Sequence, residues 1–281
     1  MKWKKLLAVT LGICLSAGVM AGCGSDKAAE TGEKVLTIGD TTFNSSNEEP
    51  DVNPHNAYAG WACIRYGIGE TLVKYSDNME IQPWLATKWE NVDELTWKFT
   101  LRDDVMFSSG RKMDAAAVKQ CFEHLIENNQ RAAKDLKIAA IEANGQELTI
   151  RTTEPKPALL NYLGDPYGCI IDVEAGFENG MVAGTGPYIA TDIKTDDHLT
   201  LKKNDKYWGR MPKLDKITIR TITDGNTLAN ALQSGEVQAA YGMAYESYPL
   251  FRNDKYNISQ ISTSRCFFGK MNFDPDSPCA D

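Results

Sequence analysis

The chain has 281 residues, of which 42% are hydrophobic and 24% charged, and its formal net charge is −8 at pH 7. These values are typical of a globular protein with one large or two medium hydrophobic cores. The acidic balance argues against nucleic-acid binding, because phosphate contacts need clustered lysine and arginine.

The first 22 residues have the pattern of a secretory signal peptide. Three lysines precede the apolar residues 6–19, which include two glycines and are too few to cross a bilayer as a helix. The stretch ends in Met20-Ala21-Gly22-Cys23, where small residues precede a cysteine as they do at lipoprotein cleavage sites. We therefore predict that residues 1–22 are removed and that Cys23 is lipidated. The alternative is an ordinary signal peptide that happens to contain this cysteine.

Lipidation would fix the mature chain to a membrane, because each acyl CH₂ that enters the bilayer contributes about 0.8 kcal/mol. Residues 23–34 are small, polar and charged, which is typical of a flexible tether. The predicted location is therefore extracytoplasmic, either lipid-anchored at the outer leaflet of the cell membrane or in the periplasm.

The cysteines after the lipidation site are odd in number and lack CxxC spacing. They are Cys63, Cys121, Cys169, Cys266 and Cys279. This pattern predicts neither a disulfide framework nor a zinc site. We expect Cys121 and Cys169 to act as small hydrophobic core residues.

The first half of the mature chain alternates predicted strands and helices. Residues 35–39 form a short strand, and residues 61–73 are a mixed apolar stretch that we interpret as a helix. Residues 97–102 alternate apolar and polar side chains, as a half-buried strand does. Asp114 then caps a helix whose apolar residues recur at helical spacing.

The second half adds further strands and one helix. Residues 148–151, 199–201 and 217–219 are predicted strands. Residues 227–234 have one apolar helical face, and residues 237–241 resume as a strand. A strand–helix–strand unit favours a partly parallel sheet, so the predicted fold class is α/β with two subdomains that meet near residue 184.

The sequence lacks the patterns of an enzyme site. Its three histidines, His55, His124 and His198, have no neighbours at metal-ligand spacing, and no GxSxG, P-loop or dinucleotide-binding motif occurs. We interpret His124 as a residue on the surface of its helix. No catalytic residue and no cofactor are predicted.

Several short motifs, in their order along the chain, resemble one family. They are Glu70-Thr71-Leu72, Pro83-Trp84-Leu85-Ala86, the run from Trp97 to Gly110, Gly184-Thr185-Gly186-Pro187-Tyr188 and Tyr207-Trp208-Gly209. Together they resemble the family 5 solute-binding proteins of ABC importers, which take up peptides or nickel. The resemblance implies a periplasmic-binding-protein-like fold of type II.

The resemblance also implies a domain map. Residues 35–43 and 184–281 would form a sheet-bearing subdomain of the first lobe, and residues 44–183 a subdomain inserted into it. Family members close two lobes over their solute. We expect the second lobe to be absent from this chain, which would make it a truncated receptor or a half-receptor with a reduced role.

Within the family, residues 128–131 resemble the nickel branch, and Arg131 matches an arginine that holds the metal–chelator complex. A planar guanidinium suits the carboxylates of such a chelator. Lys134 stands where the branch has an aromatic residue, and Tyr167 where it has a second arginine. Arg131 could instead be a solvated cation at a helix end.

Residues 60–67 fall where this branch lines its cleft. Trp61 and Arg65 are four residues apart, so on a helix they share a face. That face would either line the ligand site or pack against the protein. The predicted ligand-binding residues are therefore Arg131, Trp61, Arg65 and Tyr167.

The resemblance implies a monomeric binding module that captures a solute and delivers it to an ABC permease in the membrane. A nickel or other metal–chelator complex is the first expected solute, as a ligand and not a cofactor, and a short peptide is the second. The alternative is a surface interaction or sensor protein that derives from such a receptor and no longer serves transport.

Overall fold

The computed structural model describes residues 32–43, 51–56 and 59–259. Every described helix and strand belongs to the unit Lys34–Asp281. The predicted signal peptide, the lipidation site Cys23 and most of the tether lie outside the described residues.

The described residues form α-helices, 3-10 helices and β-strands. The α-helices are α1 Ala59–Arg65, α2 Ala115–Asn128, α3 Gln130–Leu136, α4 Leu159–Leu163 and α5 Gly225–Ser234. The strands are β1 Val35–Asp40, β2 Glu70–Thr71, β3 Val73–Tyr75, β4 Ile81–Pro83, β5 Ala86–Asp93, β6 Thr96–Leu101, β7 Ile138–Asn144, β8 Glu147–Thr152, β9 Cys169–Ile170, β10 Tyr188–Lys194, β11 His198–Lys203, β12 Lys216–Thr221 and β13 Ala239–Tyr241. Short 3-10 helices span Pro166–Gly168, Val173–Ala175, Glu178–Gly180 and Tyr245–Phe251.

The larger sheet is partly parallel, as predicted. Its strand order is β10-β11-β12-β1-β13, and β1 runs parallel to both β12 and β13. The chain crosses from β12 to β13 through α5, where the Asp224 carboxylate accepts from the backbone N–H of Thr227 at 2.7 Å. The predicted strand–helix–strand unit and the α/β class are therefore confirmed.

The second sheet is antiparallel, with strand order β5-β6-β8-β7. Trp97, Phe99 and Leu101 are buried along β6, as the alternating pattern predicts. The predicted cap is confirmed, because the Asp114 carboxylate accepts from the backbone N–H of Ala117 at 2.8 Å at the start of α2. α2 packs against β7 and β8 of this sheet.

The helix predicted over residues 61–73 is wrong in its second half. α1 ends at Arg65, and Gly67 follows with φ +68°, a conformation that favours glycine. Glu70–Thr71 then pairs with β9 as strand β2. Periodicity could not separate the two outcomes, because a short apolar run fits a buried strand as well as a buried helix.

Buried side chains from both sheets join in one large hydrophobic cluster within the described residues. Cys63, Cys121 and Cys169 are buried in it as free thiols, so the core role predicted for Cys121 and Cys169 is confirmed. Among the described helices, none has the length and apolar character needed to cross a membrane. The boundaries of the two predicted subdomains stay a prediction.

Candidate functional site

The carboxyl ends of three parallel strands meet at one edge of the five-stranded sheet. Asp40, the last residue of β1, is in register with Thr221 of β12 and Tyr241 of β13. Ligands of open α/β sheets bind outside this kind of edge. The end of α1 brings Arg65 and Tyr66 to it, so the edge forms one border of the candidate site.

Asp40 is fully buried at this edge, and protein groups bind both of its carboxylate oxygens. Arg65 Nη1 donates to Oδ2 at 3.1 Å, and the Tyr66 hydroxyl donates to the same oxygen. Thr42 donates to Oδ1 from its backbone N–H at 2.6 Å and from its hydroxyl at 2.8 Å. Burial raises the pKa of Tyr66 and the Asp40 carboxylate raises it further, so Tyr66 keeps the proton that it donates.

An ion pair with Asp40 and a contact with the Tyr241 ring hold Arg65 at this edge. Besides its bond to Asp40, it donates to Thr42 Oγ1 at 3.1 Å, and its Cζ lies 4.0 Å from the centre of the Tyr241 ring. Its side chain is still 27% exposed, so it meets solvent from a fixed position. Its ligand role stays a prediction. We call Asp40, Thr42, Arg65, Tyr66 and Tyr241 the sheet-edge cluster.

Trp61 lies one turn before Arg65 on α1 and is 49% exposed. The preceding residue, Gly60, fixes where this helix packs. A Cβ at Gly60 would lie 2.7 Å from Pro166 Cβ, too close for any side chain. α1 therefore rests directly on the 3-10 helix Pro166–Gly168, and this contact places Trp61 on the element next to Tyr167.

Arg131 and Tyr167 are neighbours through Asp135. Arg131 Nε lies 3.7 Å from Asp135 Oδ2, and the Arg131 side chain is 79% exposed. Burial raises the pKa of the half-buried Tyr167, while Arg131 lowers it and Asp135 raises it. Both α3 residues therefore lie within electrostatic reach of the Tyr167 hydroxyl.

The structure thus places the four predicted residues in two groups. Trp61, Tyr167 and Arg131 lie on adjoining elements, α1, the 3-10 helix and α3. We call these three residues the solute surface after the role predicted for them, and that role stays a prediction. Arg65, at the far end of α1, belongs to the sheet-edge cluster instead.

Arg131 lies at the start of a helix, α3. Asn129 caps α3 by accepting from the backbone N–H of Ala132 at 2.9 Å. Its amide also donates to the His55 carbonyl oxygen at 3.0 Å. Arg131 is therefore the second residue of α3 and is exposed at the N-terminal end of that helix. Its ligand role stays a prediction.

A buried carboxylate that sequence reasoning missed joins four of the motifs. Glu70 Oε1 accepts from Trp84 Nε1 at 3.0 Å and from the Tyr207 hydroxyl at 2.8 Å. Its Oε2 accepts from Thr185 Oγ1 and Trp208 Nε1, both at 2.9 Å. We call these five residues the Glu70 box.

The donors of the Glu70 box are all neutral. Burial raises the pKa of Glu70, while the four hydrogen bonds act in the opposite direction. Cations lie outside, with Lys74 Nζ 3.6 Å from the Trp84 ring centre and Arg102 Cζ 4.1 Å from that of Trp208. The sequence signal was indirect: a glutamate in an apolar stretch needs donors once it is buried.

The interpretation of His124 as a surface residue is wrong. His124 is half-buried, and its Nδ1 lies 2.7 Å from Nδ1 of the buried His55. Phe177 packs on both rings. Among the residues that the structure describes, no three His, Cys, Asp or Glu side chains form a group that could hold a metal ion.

Comparison with known proteins agrees with the family resemblance found in the sequence. A family profile described as bacterial extracellular solute-binding proteins, family 5 Middle, matches residues 80–281. The nickel-binding protein NikA of Staphylococcus aureus is 29% identical over 83% of this chain and 45% of its own length. The dipeptide-binding protein DppE of Bacillus subtilis is 26% identical over 96% of this chain and 55% of its own length.

A solved structure gives the same outcome. The crystal structure of NikA from Staphylococcus aureus in complex with Ni(L-His)2 superposes with a TM-score of 0.73 and 27% identity, over 79% of this chain and 46% of that one. The chain thus spans about half the length of the relatives it matches. These similarities confirm the periplasmic-binding-protein-like fold and the place near the nickel branch.

Proposed function

Because the chain belongs to the family 5 bacterial extracellular solute-binding proteins, we propose that it is a solute-binding module and not an enzyme. In this proposal it acts as a monomer that captures a small solute with a carboxylate group outside the cell and delivers it to an ABC permease. The first proposed solute is a complex of nickel with an organic chelator, and the second is a short peptide.

The observation that carries the proposal is the exposure of Arg131. Its side chain is 79% exposed, and its guanidinium has a single ion pair, with Asp135 at 3.7 Å, among the described residues. A guanidinium can donate to both oxygens of a carboxylate at once. Most of this donor capacity is available to a solute that approaches from the solvent.

Aromatic side chains supply the rest of the surface. The exposed Trp61 and the half-buried Tyr167 offer ring faces and one hydroxyl next to the Arg131 cation. A metal chelate with carboxylate groups and planar ligand rings matches this combination of charge and flat apolar area. The nickel-binding relatives support the same choice.

A short peptide is the second candidate, because the similarity to a dipeptide-binding protein extends over 96% of this chain. The carboxyl terminus of a peptide would use the same guanidinium. The two candidates differ in their need for metal, which makes them separable.

Isothermal titration at low salt tests both candidates. We expect nickel with two equivalents of histidine to bind with a Kd in the roughly millimolar range, because the described surface is open to water. Histidine alone should give no heat of binding, and a dipeptide should bind more weakly than the nickel complex. Stronger binding of the dipeptide would reverse the order of the two candidates.

Two variants on the same helix test the role of Arg131. Arg131→Ala should lower the affinity roughly two- to five-fold, since an exposed ion pair contributes up to about 1 kcal/mol. Lys134→Ala removes an equal charge from an exposed position of α3 and should leave the affinity unchanged. Equal effects of the two variants would show that only net charge matters.

We also propose that the protein is a lipoprotein, anchored through Cys23 after removal of residues 1–22. Labelled palmitate should attach to the wild type and not to Cys23→Ser. The variant should appear in the soluble extracytoplasmic fraction. Equal labelling of both proteins would contradict the anchor without affecting the proposed solute.

A further inference from the structure

Three buried cysteines lie close together in the core. Cys63 of α1 and Cys169 of β9 have their sulfur atoms 3.8 Å apart, although 106 positions separate them in the chain. Cys121 of α2 is the third. All three side chains are buried, with exposed fractions of 0%, 1% and 1%.

The backbone explains why Cys63 and Cys169 meet. The Cys63 carbonyl oxygen accepts from the N–H groups of Ile68 at 2.9 Å and Gly69 at 3.3 Å, which turns the chain back along the end of α1. The next residues form β2, in which Thr71 is the register partner of Cys169. The same turn therefore positions both cysteines.

Gly69 leaves room for the two sulfur atoms. A Cβ at this position would lie 2.4 Å from Cys169 Sγ and 3.0 Å from Cys63 Sγ. Both thiols therefore occupy the space over one glycine. The two sulfur atoms, 3.8 Å apart, would have to approach to the S–S bond length of about 2.0 Å to form a disulfide.

Cys121 differs from the other two because it has other partners. Its sulfur lies 3.6 Å from His55 Nε2 and 3.6 Å from the Cys169 carbonyl oxygen, and it accepts from the Ile171 N–H at 3.4 Å. These contacts hold the Cys121 side chain toward the backbone of β9. Cys63 and Cys169 are thus the pair that face each other.

We propose that Cys63 and Cys169 form a disulfide that braces α1 against β9. The family is extracellular, and extracytoplasmic compartments are oxidising. The two thiols lose two protons and two electrons, one S–S bond forms, and the disulfide of a protein or small-molecule oxidant is reduced to two thiols. Contact with Cys63, and then burial, raises the pKa of Cys169. A protonated, buried thiol exchanges slowly, so the bond forms while the chain folds.

The cross-link would act on the candidate site. Cys63 lies between Trp61 and Arg65 on α1, and Cys169 directly follows the 3-10 helix that carries Tyr167. A covalent link between these elements would fix the spacing between two sides of the solute surface. This inference goes beyond the proposed function and does not depend on which solute binds.

Peptide mapping of the exported full-length protein tests the proposal. The protein is denatured without reductant, alkylated and digested, and its peptides are identified by mass spectrometry. We expect most molecules to contain the Cys63 peptide linked to the Cys169 peptide, with Cys121 alkylated. Alkylation of both Cys63 and Cys169, also after treatment with oxidised glutathione during refolding, would overturn the proposal, and so would a link from Cys121 to either residue.

Thermal unfolding tests the bracing role. Reductant should lower the Tm of the wild type and of the control Cys121→Ala by roughly 5–10 °C. It should leave the Tm of the double variant Cys63→Ala/Cys169→Ala unchanged. A wild-type Tm that is the same with and without reductant would contradict a stabilising disulfide. If the double variant fails to fold, the peptide map of the wild type still decides whether the bond exists.

Discussion

The Glu70 box and the solute surface each place one charged side chain among aromatic residues, but their surroundings are opposite. Glu70 is 7% exposed and accepts four hydrogen bonds from protein donors. Arg131 is 79% exposed and has one carboxylate at 3.7 Å. Protein groups therefore occupy the acceptor positions of Glu70, whereas most donors of Arg131 face water.

This difference separates a structural charge from a charge that can bind a ligand. Removing a buried acceptor leaves its donors without partners, and each such donor costs about 1–3 kcal/mol. Removing an exposed cation leaves groups that water solvates at once. The motifs that join in the Glu70 box therefore stabilise the fold, while the solute surface can change without loss of the fold.

The largest expected effect is on the Glu70 box. Glu70→Ala should lower the free energy of unfolding by about 3 kcal/mol or more, because Trp84, Thr185, Tyr207 and Trp208 lose their acceptor. Urea unfolding measures the loss. Glu94→Ala, which changes an exposed glutamate in a turn, should stay within about 0.5 kcal/mol of the wild type. Equal losses would remove the distinction between the two regions.

The next effect is acid sensitivity at His55. Burial, and then His124, lower the pKa of His55 from 6.5 to about 3. The folded protein keeps His55 neutral while the unfolded chain takes up a proton. The contribution of His55 to stability is therefore complete above pH 6.5 and falls by about 1.4 kcal/mol per pH unit during acidification.

Urea unfolding at several pH values, for the wild type and His55→Gln, measures this contribution. Glu70 acts with the opposite sign, because its raised pKa lets the folded state hold a proton at a higher pH than the unfolded chain does. Both proteins contain Glu70, so its contribution cancels when their free energies of unfolding are subtracted at each pH. The remaining pH dependence is that of His55. A variant with the same pH slope as the wild type would contradict the prediction.

A moderate effect is expected at the start of α3. Asn129→Ala removes the cap of Ala132 N–H and the bond to the His55 carbonyl oxygen, so we expect a loss of about 1 kcal/mol. The control is Asn128→Ala, whose exposed side chain bonds back to the His124 carbonyl oxygen within α2, and it should cost less. Denaturant unfolding of the two variants provides the comparison, and a larger loss in the control would assign the stability to α2 instead.

The smallest effect on stability is expected at the solute surface itself. Arg131→Ala should change the free energy of unfolding by less than about 0.5 kcal/mol, since its pair with Asp135 is exposed. The same variant should bind the nickel–histidine complex more weakly. A loss of stability as large as that of Asn129→Ala would make Arg131 a structural residue.

Local patterns in the sequence were sufficient for many of the elements. The alternation along β6, the cap at Asp114 and the apolar face of α5 were predicted because each depends on residues a few positions apart. The ordered motifs were sufficient for the family, and Arg131 was named from the separate resemblance of residues 128–131 to the nickel branch. The helix prediction was wrong for the second half of residues 61–73, because an apolar run does not show that a distant strand will pair with it.

Tertiary structure alone decided which distant residues meet. Glu70 is hydrogen-bonded to residues 14, 115, 137 and 138 positions away, and no local period encodes such pairs. The same holds for Asp40 with Arg65 and for Cys63 with Cys169. Local sequence sets the preference of a segment for helix or strand, whereas burial sets the partner of each polar group, since every group removed from water needs one.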